Sequence, residues 1–332
     1  MDSPMIFPEL RHGLIWTPGD DGIAVRRHEQ RFLLDPELGS IADLALIPSL
    51  LDGTRSIATI AQVTGVSPDD ISELVRTLDE HDLLVSLPRH AAVSTHEFLA
   101  QLDLTVAAWR ASLADHPLYA ALHIGSAPPE ILHGLLIETY HYVVAATQHI
   151  AAAIQGAAAG RNRRLLDDYY LEEREHYPLV LATLERLGIE ATLVQDSVPS
   201  SSTRAVVRLL CDIGSRDTLA YMACLLLSEG RVGDCDRART SFATIAAHYG
   251  CGDETFDPIL SHLEDDVAAG HTGLLAEALD GIESLSTTTA DRILGYVREL
   301  RDAWWQFHDS TLSYYSDPTN PLIRRPLSFW AL

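Results

Sequence analysis

Apolar and polar positions follow two different rhythms along this chain. Within residues 13–35 the apolar residues come in short clusters, LIWTP, IAVRRH and RFLLD, punctuated by PGDDG. Runs this short, rich in β-formers and bounded by proline, glycine and aspartate, predict a small antiparallel meander. Three helix-length segments follow: SIADLALIPSLLDG, SIATIAQVTG and SPDDISELVRTLDEHDLL. The last opens on Ser67, Pro68, Asp69 and Asp70. That order places a capping hydroxyl, then a proline at the first helical position, then acids in the first turn. Strands followed by three short helices predict a winged-helix-like α+β module over residues 1–90.

The polar stretch SLPRHAAVST, residues 86–95, reads as a connector. Beyond it the apolar spacing is helical to the end, over roughly 96–114, 127–157, 161–188, 201–230, 234–249, 254–280 and 288–315. The breakers SAPP, AAAGRN, DSVPSSS, GRVGD, YGCGDE and STTT separate these segments. The fold class expected is mainly α: a seven-helix bundle over residues 91–332, preceded by the small α+β domain.

Composition narrows the partners. The 332 residues are 47% hydrophobic, enough for sizeable cores, and carry a net charge of -23 from 24 Lys+Arg against 47 Asp+Glu. Such a field repels phosphate backbones and anionic lipid surfaces, so nucleic acid and membrane are not expected partners. The start, MDSPMIFPEL, lacks the basic-then-apolar pattern of a signal peptide, and no segment reads as a membrane span. The four cysteines, Cys211, Cys224, Cys235 and Cys251, form no CxxC pair and read as buried thiols of a cytoplasmic protein rather than zinc ligands. No GxGxxG or GKS/T phosphate loop is present.

The candidate chemistry lies on the helical segments. Glu138 and His141 are three apart, as are Glu173 and His176, and His262 and Asp266 are four apart. Such spacings put each pair on one helix face. Glu229 is the first charge after the apolar run LAYMACLLLS. One Glu-x-x-His arises readily by chance, and Glu172, Arg174 and Glu175 beside Glu173 are expected to face water. Four coincidences on separate helices are a different matter. They predict a shared site in the bundle core, whose oxygen and imidazole donors suit iron or manganese. The nearby tyrosines, Tyr140, Tyr142, Tyr169, Tyr170 and Tyr177, read mainly as packing.

The phrase LLDGTRSIATIAQVTGVSPDDISELVRTLDEHDLLV, within a resemblance spanning about Leu14 to Val85, is similar to PqqD-like domains, the precursor-peptide recognition elements of ribosomal peptide biosynthesis. The resemblance implies that a leader peptide adds as an extra strand to the sheet edge. The other reading of a winged helix, DNA recognition, is disfavoured by its third helix. That helix carries Arg76 alone against six acidic residues.

The helical segments resemble the heme-oxygenase-like diiron oxidases, relatives of the PQQ-synthesis oxidase PqqC and of TenA. The carrying features are EEREH leading into LVLATLERLG, then Glu229, then His262-x3-Asp266, at intervals of 53 residues (176 to 229) and 33 (229 to 262). The resemblance implies a site of two Fe(II) ions with dioxygen as co-substrate. Glu173, His176, Glu229, His262 and Asp266 are then the catalytic ligands, and Glu138 a further candidate. One departure stands out. The family pattern puts a histidine at position 269, where this chain has Ala269. His271 replaces it only if Gly270 bends or ends the helix.

Together the two resemblances imply an oxygen-dependent oxidoreductase that tailors a precursor peptide, compatible with an external electron donor and a homodimer. The competing readings are a metal-free PqqC/TenA-like enzyme acting on a small molecule and a non-catalytic scaffold that presents a peptide.

Overall fold

The structure, a computed structural model, describes residues 8–328 apart from 12–13, 20–21, 28–29, 35–40, 82, 86–91, 232 and 253. The central residues of the PGDDG turn and most of the expected connector lie outside the described residues. The chain divides into two compact units, residues 1–93 with 100–109, and residues 94–99 with 110–332.

In the first unit β1 (Ile15–Gly19), β2 (Gly22–Arg27) and β3 (Gln30–Leu34) form an antiparallel sheet in chain order. Its register sets Trp16 opposite Val25 and Val25 opposite Phe32. Helices α1 (Ile41–Leu50), α2 (Ile57–Thr64) and α3 (Pro68–Glu80) follow. The start of α3 is the one its sequence predicts, with the Ser67 hydroxyl accepting from the Asp70 N–H at 3.1 Å. Ile23, Val25, Ile47, Ile60, Ile71 and Leu78 form its core. The lone cation of α3, Arg76, is held by Glu73 and Glu80.

The second unit is helical. It is built from part of α4 (Thr95–Ala114) with α5 (Pro117–His123), α6 (Pro129–Val144), α7 (Ala146–Gly156), α8 (Arg161–Glu173) and α9 (Tyr177–Arg186). It continues through α10 (Ala191–Gln195), α11 (Ser201–Arg216), α12 (Thr218–Ser228), α13 (Asp234–Tyr249), α14 (Asp257–Ala269), α15 (Leu274–Ala278) and α16 (Thr287–Tyr315). At its centre α12 is apolar all round, with every residue from Ala220 to Leu227 buried. Helices α7 and α11 approach so closely that a Cβ on Gly156 would stand 2.5 Å from the Gly214 carbonyl oxygen. Among the described residues no helix is long and apolar enough to cross a membrane.

Four of the long helices expected from periodicity are interrupted. The segment 161–188 breaks at Arg174–His176, because Pro178 lacks an N–H and its ring opposes the carbonyl four residues back. The segment 201–230 breaks at Asp217, whose extended backbone (φ -147, ψ 98) frees its carboxylate to cap the Ala220 N–H. The segment 127–157 steps at Ala145, between α6 and α7. The segment 254–280 stops at Gly270, left-handed at φ 73, a conformation that glycine adopts without penalty. Three of the breaks or ends, at 173–176, 229 and 270, position the candidate chemistry.

Candidate metal centre

Glu173 is the last residue of α8 and His176 precedes the first turn of α9. Glu229 caps the C-terminus of α12 in extended conformation (φ -84, ψ 153), so its side chain leaves the helix axis. His262 and Asp266 lie on successive turns of α14. His271 follows Gly270 in a short 3-10 turn and is 2% exposed. The Gly270 N–H closes the end of α14 on the Asp266 carbonyl at 3.1 Å.

These six side chains converge. Potential ligand atoms of His176, His262 and Asp266 lie within 4.8 Å of one another, as do those of Glu173, Glu229, Asp266 and His271. Asp266 belongs to both groups. Its Oδ1 is 3.1 Å from His262 Nδ1, 3.4 Å from His176 Nδ1 and 4.0 Å from His271 Nδ1. Glu173 Oε1 likewise sits 3.3 Å from His176 Nδ1 and 3.2 Å from His271 Nδ1. His271 Nδ1 also reaches Glu229 Oε2 at 3.2 Å. All three imidazoles thus present Nδ1 to carboxylate oxygens.

The charges are arranged to need a cation. Glu173, Glu229 and Asp266 are buried together, which is costly unless positive charge meets them. Burial favours a neutral Glu173, yet contacts with His176 and His271 hold its carboxyl down at about 2. Burial raises the carboxyl of Glu229. Burial also disfavours protonated His271, but Glu173 and Glu229 overcome this and push it up to about 11. Asp266 does the same for His262, against burial, to about 9. A metal ion held by the same atoms would meet the same buried negative charge.

The donor set fits such an ion. Glu173 Oε1 and His176 Nδ1 are buried without hydrogen-bond partners, although they lie within ion-pair range of each other. Three imidazoles with three carboxylates match the preferences of iron and manganese better than a soft-metal site. Two overlapping groups sharing Asp266 offer ligands for a pair of ions.

Glu138 is the candidate that the fold takes elsewhere. Its Oε2 accepts from the Ser200 N–H at 2.9 Å and from the Thr203 hydroxyl, while its Oε1 accepts from the Tyr315 hydroxyl at 3.1 Å. Both carboxylate oxygens are committed to α11 and α16, and the residue joins neither group of potential ligands. Its companion on α6, His141, is hydrogen-bonded through Nε2 to the Ser197 hydroxyl at 2.7 Å.

Two contributors were not singled out by pattern. Glu172, expected to be solvated, accepts from His271 Nε2 at 2.7 Å while about half of its side chain stays exposed. Nothing in an acidic run marks which member turns inward. Tyr169 donates its hydroxyl to Glu229 Oε1 at 2.7 Å, and its ring lies edge-on to His271 at 4.7 Å. Its position four residues before Glu173 was a usable signal, since that spacing shares a helix face. Close by, His149 Nδ1 meets the Tyr221 hydroxyl at 2.8 Å, and burial holds this imidazole neutral, down at about 4.

The helix order and packing decide the architecture. The helical part of the chain has a heme oxygenase-like fold. It aligns with a heme oxygenase-like domain of unknown function from Shewanella denitrificans OS217 at a TM-score of 0.53 and 16% identity, covering 65% of this chain and 93% of that one. A TenA homolog from Pseudomonas syringae pv. tomato aligns at 0.51 and 15% identity, covering 65% and 93%. Residues 105–232 match the TENA/THI-4/PQQC family. No curated protein matches the chain in sequence. The heme oxygenase-like helices thus carry the buried histidine–carboxylate cluster.

Proposed function

We propose that this protein is a non-heme, oxygen-dependent oxidoreductase whose heme oxygenase-like helices hold two iron(II) ions, and that it modifies a ribosomally made precursor peptide. One observation carries the reading. Three histidine Nδ1 atoms and three buried carboxylates meet around a shared Asp266, with Glu173 Oε1 and His176 Nδ1 lacking hydrogen-bond partners. Glu173, Glu229, Asp266, His176, His262 and His271 would hold the metal.

Iron bound there would supply electrons and open coordination positions for activating dioxygen. The chain's own residues have separable tasks. Glu172 accepts a hydrogen bond from His271 Nε2 and so turns its Nδ1 inward. Tyr169 donates to Glu229, orienting that carboxylate. Buried Tyr221 and neutral His149 wall the site without adding charge.

The peptide half of the proposal rests on the N-terminal unit. Its sheet has β1 and β3 as outer strands, the arrangement that strand addition by an extended leader requires. Tethering the leader would raise the local concentration of the peptide to be modified.

Anaerobic iron(II) loading of the full chain, followed by metal analysis, tests the centre. Two equivalents are expected, with strong losses in Glu229→Ala and His262→Ala while helical circular dichroism is kept. Iron-free wild-type protein after loading would end the reading. Fluorescence anisotropy with the candidate precursor peptide tests the other half, since binding should fail for a scrambled leader.

A further inference from the structure

We propose that the protein carries a separate binding site for an oxyanion-bearing small molecule, formed by Arg204, Arg208 and Arg324. A cavity of about 530 Å³ is lined by these three arginines with Val198, Pro199 and Ser201, and by none of the residues of the metal centre. Arg204 and Arg208 stand four apart on α11, hence on one face of that helix. Arg324 comes from the segment after α16, fastened to the cavity wall by the Val198 N–H, which donates to the Arg324 carbonyl at 2.8 Å.

The charge balance makes this cluster unusual. The chain has 47 acidic residues against 24 basic ones, about two carboxylates for every cation, and all the cations are arginine. Arginines elsewhere use that surplus: Arg161 pairs with Asp280, Arg216 with Asp212, Arg239 with Glu264 and Arg292 with Asp217. Arg204 and Arg208 are exposed and make no ion pair among the described residues. Arg324 is stacked on the Tyr314 ring at 3.6 Å and lies 3.9 Å from Glu138 Oε1. Its Nε is nonetheless buried without a hydrogen-bond partner. Three guanidiniums held around one cavity repel one another, so an anion between them is favoured.

The lining suits such a group. Ser201, the first residue of α11, adds a hydroxyl to the cavity, while the Ser200 N–H at that helix start is taken by Glu138. The planar guanidinium fork matches the paired oxygens of phosphate and of carboxylate. Val198, Pro199 and Ala205 supply an apolar strip beside the cations. The occupant is therefore a small organic molecule that carries a phosphate or carboxylate group, at a volume usual for metabolite sites.

Calorimetry on the full-length, metal-free protein tests this with two probes, inorganic phosphate and malonate, against sodium chloride at matched ionic strength. Saturable binding of at least one probe is expected, and the tighter one names the preferred oxyanion. The doubly substituted Arg204→Gln, Arg208→Gln protein should bind it at least tenfold more weakly with unchanged circular dichroism, because both side chains are exposed. Arg208→Gln alone should show an intermediate loss. The proposal fails if neither anion binds beyond the chloride control. It fails equally if the double variant binds as tightly as wild type, since the anion would then sit elsewhere.

Discussion

The carboxylate of Glu172 accepts the Nε2 proton of His271 at 2.7 Å, and this turns the opposite nitrogen, Nδ1, toward Glu173 and Glu229. A rim residue thus selects which imidazole nitrogen faces the buried carboxylates. Glu172→Ala should weaken iron(II) affinity by about tenfold or more, the usual cost of losing a ligand-orienting carboxylate. Glu172→Gln, whose amide oxygen can still accept the same proton, should restore most of it. Equal affinity in wild type and Glu172→Ala, measured by chelator competition, would remove the orienting role.

Gly270 decides whether His271 reaches the centre. Its left-handed backbone ends α14 and carries the next residue into the core, whereas Ala269 is exposed on the last helical turn. Nothing lies within 4 Å of a Cβ placed on Gly270, so Gly270→Ala adds no clash. It imposes about 1 kcal/mol of left-handed strain instead. We expect His271→Ala to lose one iron equivalent and Gly270→Ala to lose part of one. Ala269→His should leave loading unchanged. Metal analysis of the three variants separates these outcomes.

Glu138 is structural on this geometry. It binds the Ser200 N–H that opens α11 and the Tyr315 hydroxyl of α16, fully buried between them. Glu138→Ala leaves these donors unmet and should cost about 3 kcal/mol of stability. Thermal unfolding should show this drop, while iron stoichiometry below the unfolding range stays at the wild-type value. A variant that loses iron but keeps its melting temperature would reverse the assignment.

His308 makes a pH dependence that is separate from the metal centre. Burial, aided by the nearby His116, holds its imidazole down at about 3, and its Nε2 meets the Tyr119 hydroxyl at 3.0 Å. In the unfolded chain the same imidazole titrates near 6.5. Between those values the unfolded state binds a proton that the folded state refuses. Stability from this group is therefore complete above about pH 6.5 and declines as pH falls toward about 3, by at most about 1.4 kcal/mol per pH unit. His308→Gln should be less stable at pH 7 through the altered contact with Tyr119, yet show a shallower loss from pH 6 to pH 4. Parallel stability–pH curves for the two proteins would contradict this.

Much of the chemistry was legible as local spacing. His262 with Asp266 was readable because residues four apart share a helix face, and the same spacing pointed to Glu173 with His176 although a turn between α8 and α9 separates that pair. The cap at Ser67 was readable because short-range hydrogen bonding sets it, whereas Gly270 read only as a conditional break inside a helix expected over 254–280. The meander and three short helices of the first unit came from the same local rules.

Tertiary structure alone distinguished Glu138 from Glu173. Both precede a histidine by three residues, but the partners of Glu138 are Ser200, Thr203 and Tyr315, whereas Glu173 faces His271 and Asp266. Spacing along one helix fixes an angle about that helix's own axis. It carries no record of which residue from another helix stands opposite. Glu172 turns to His271, 99 positions away in the chain, for the same reason. Except for His262, which stands mid-helix on α14, the centre assembles at helix breaks and ends, where long-range packing rather than periodicity sets each side chain's direction.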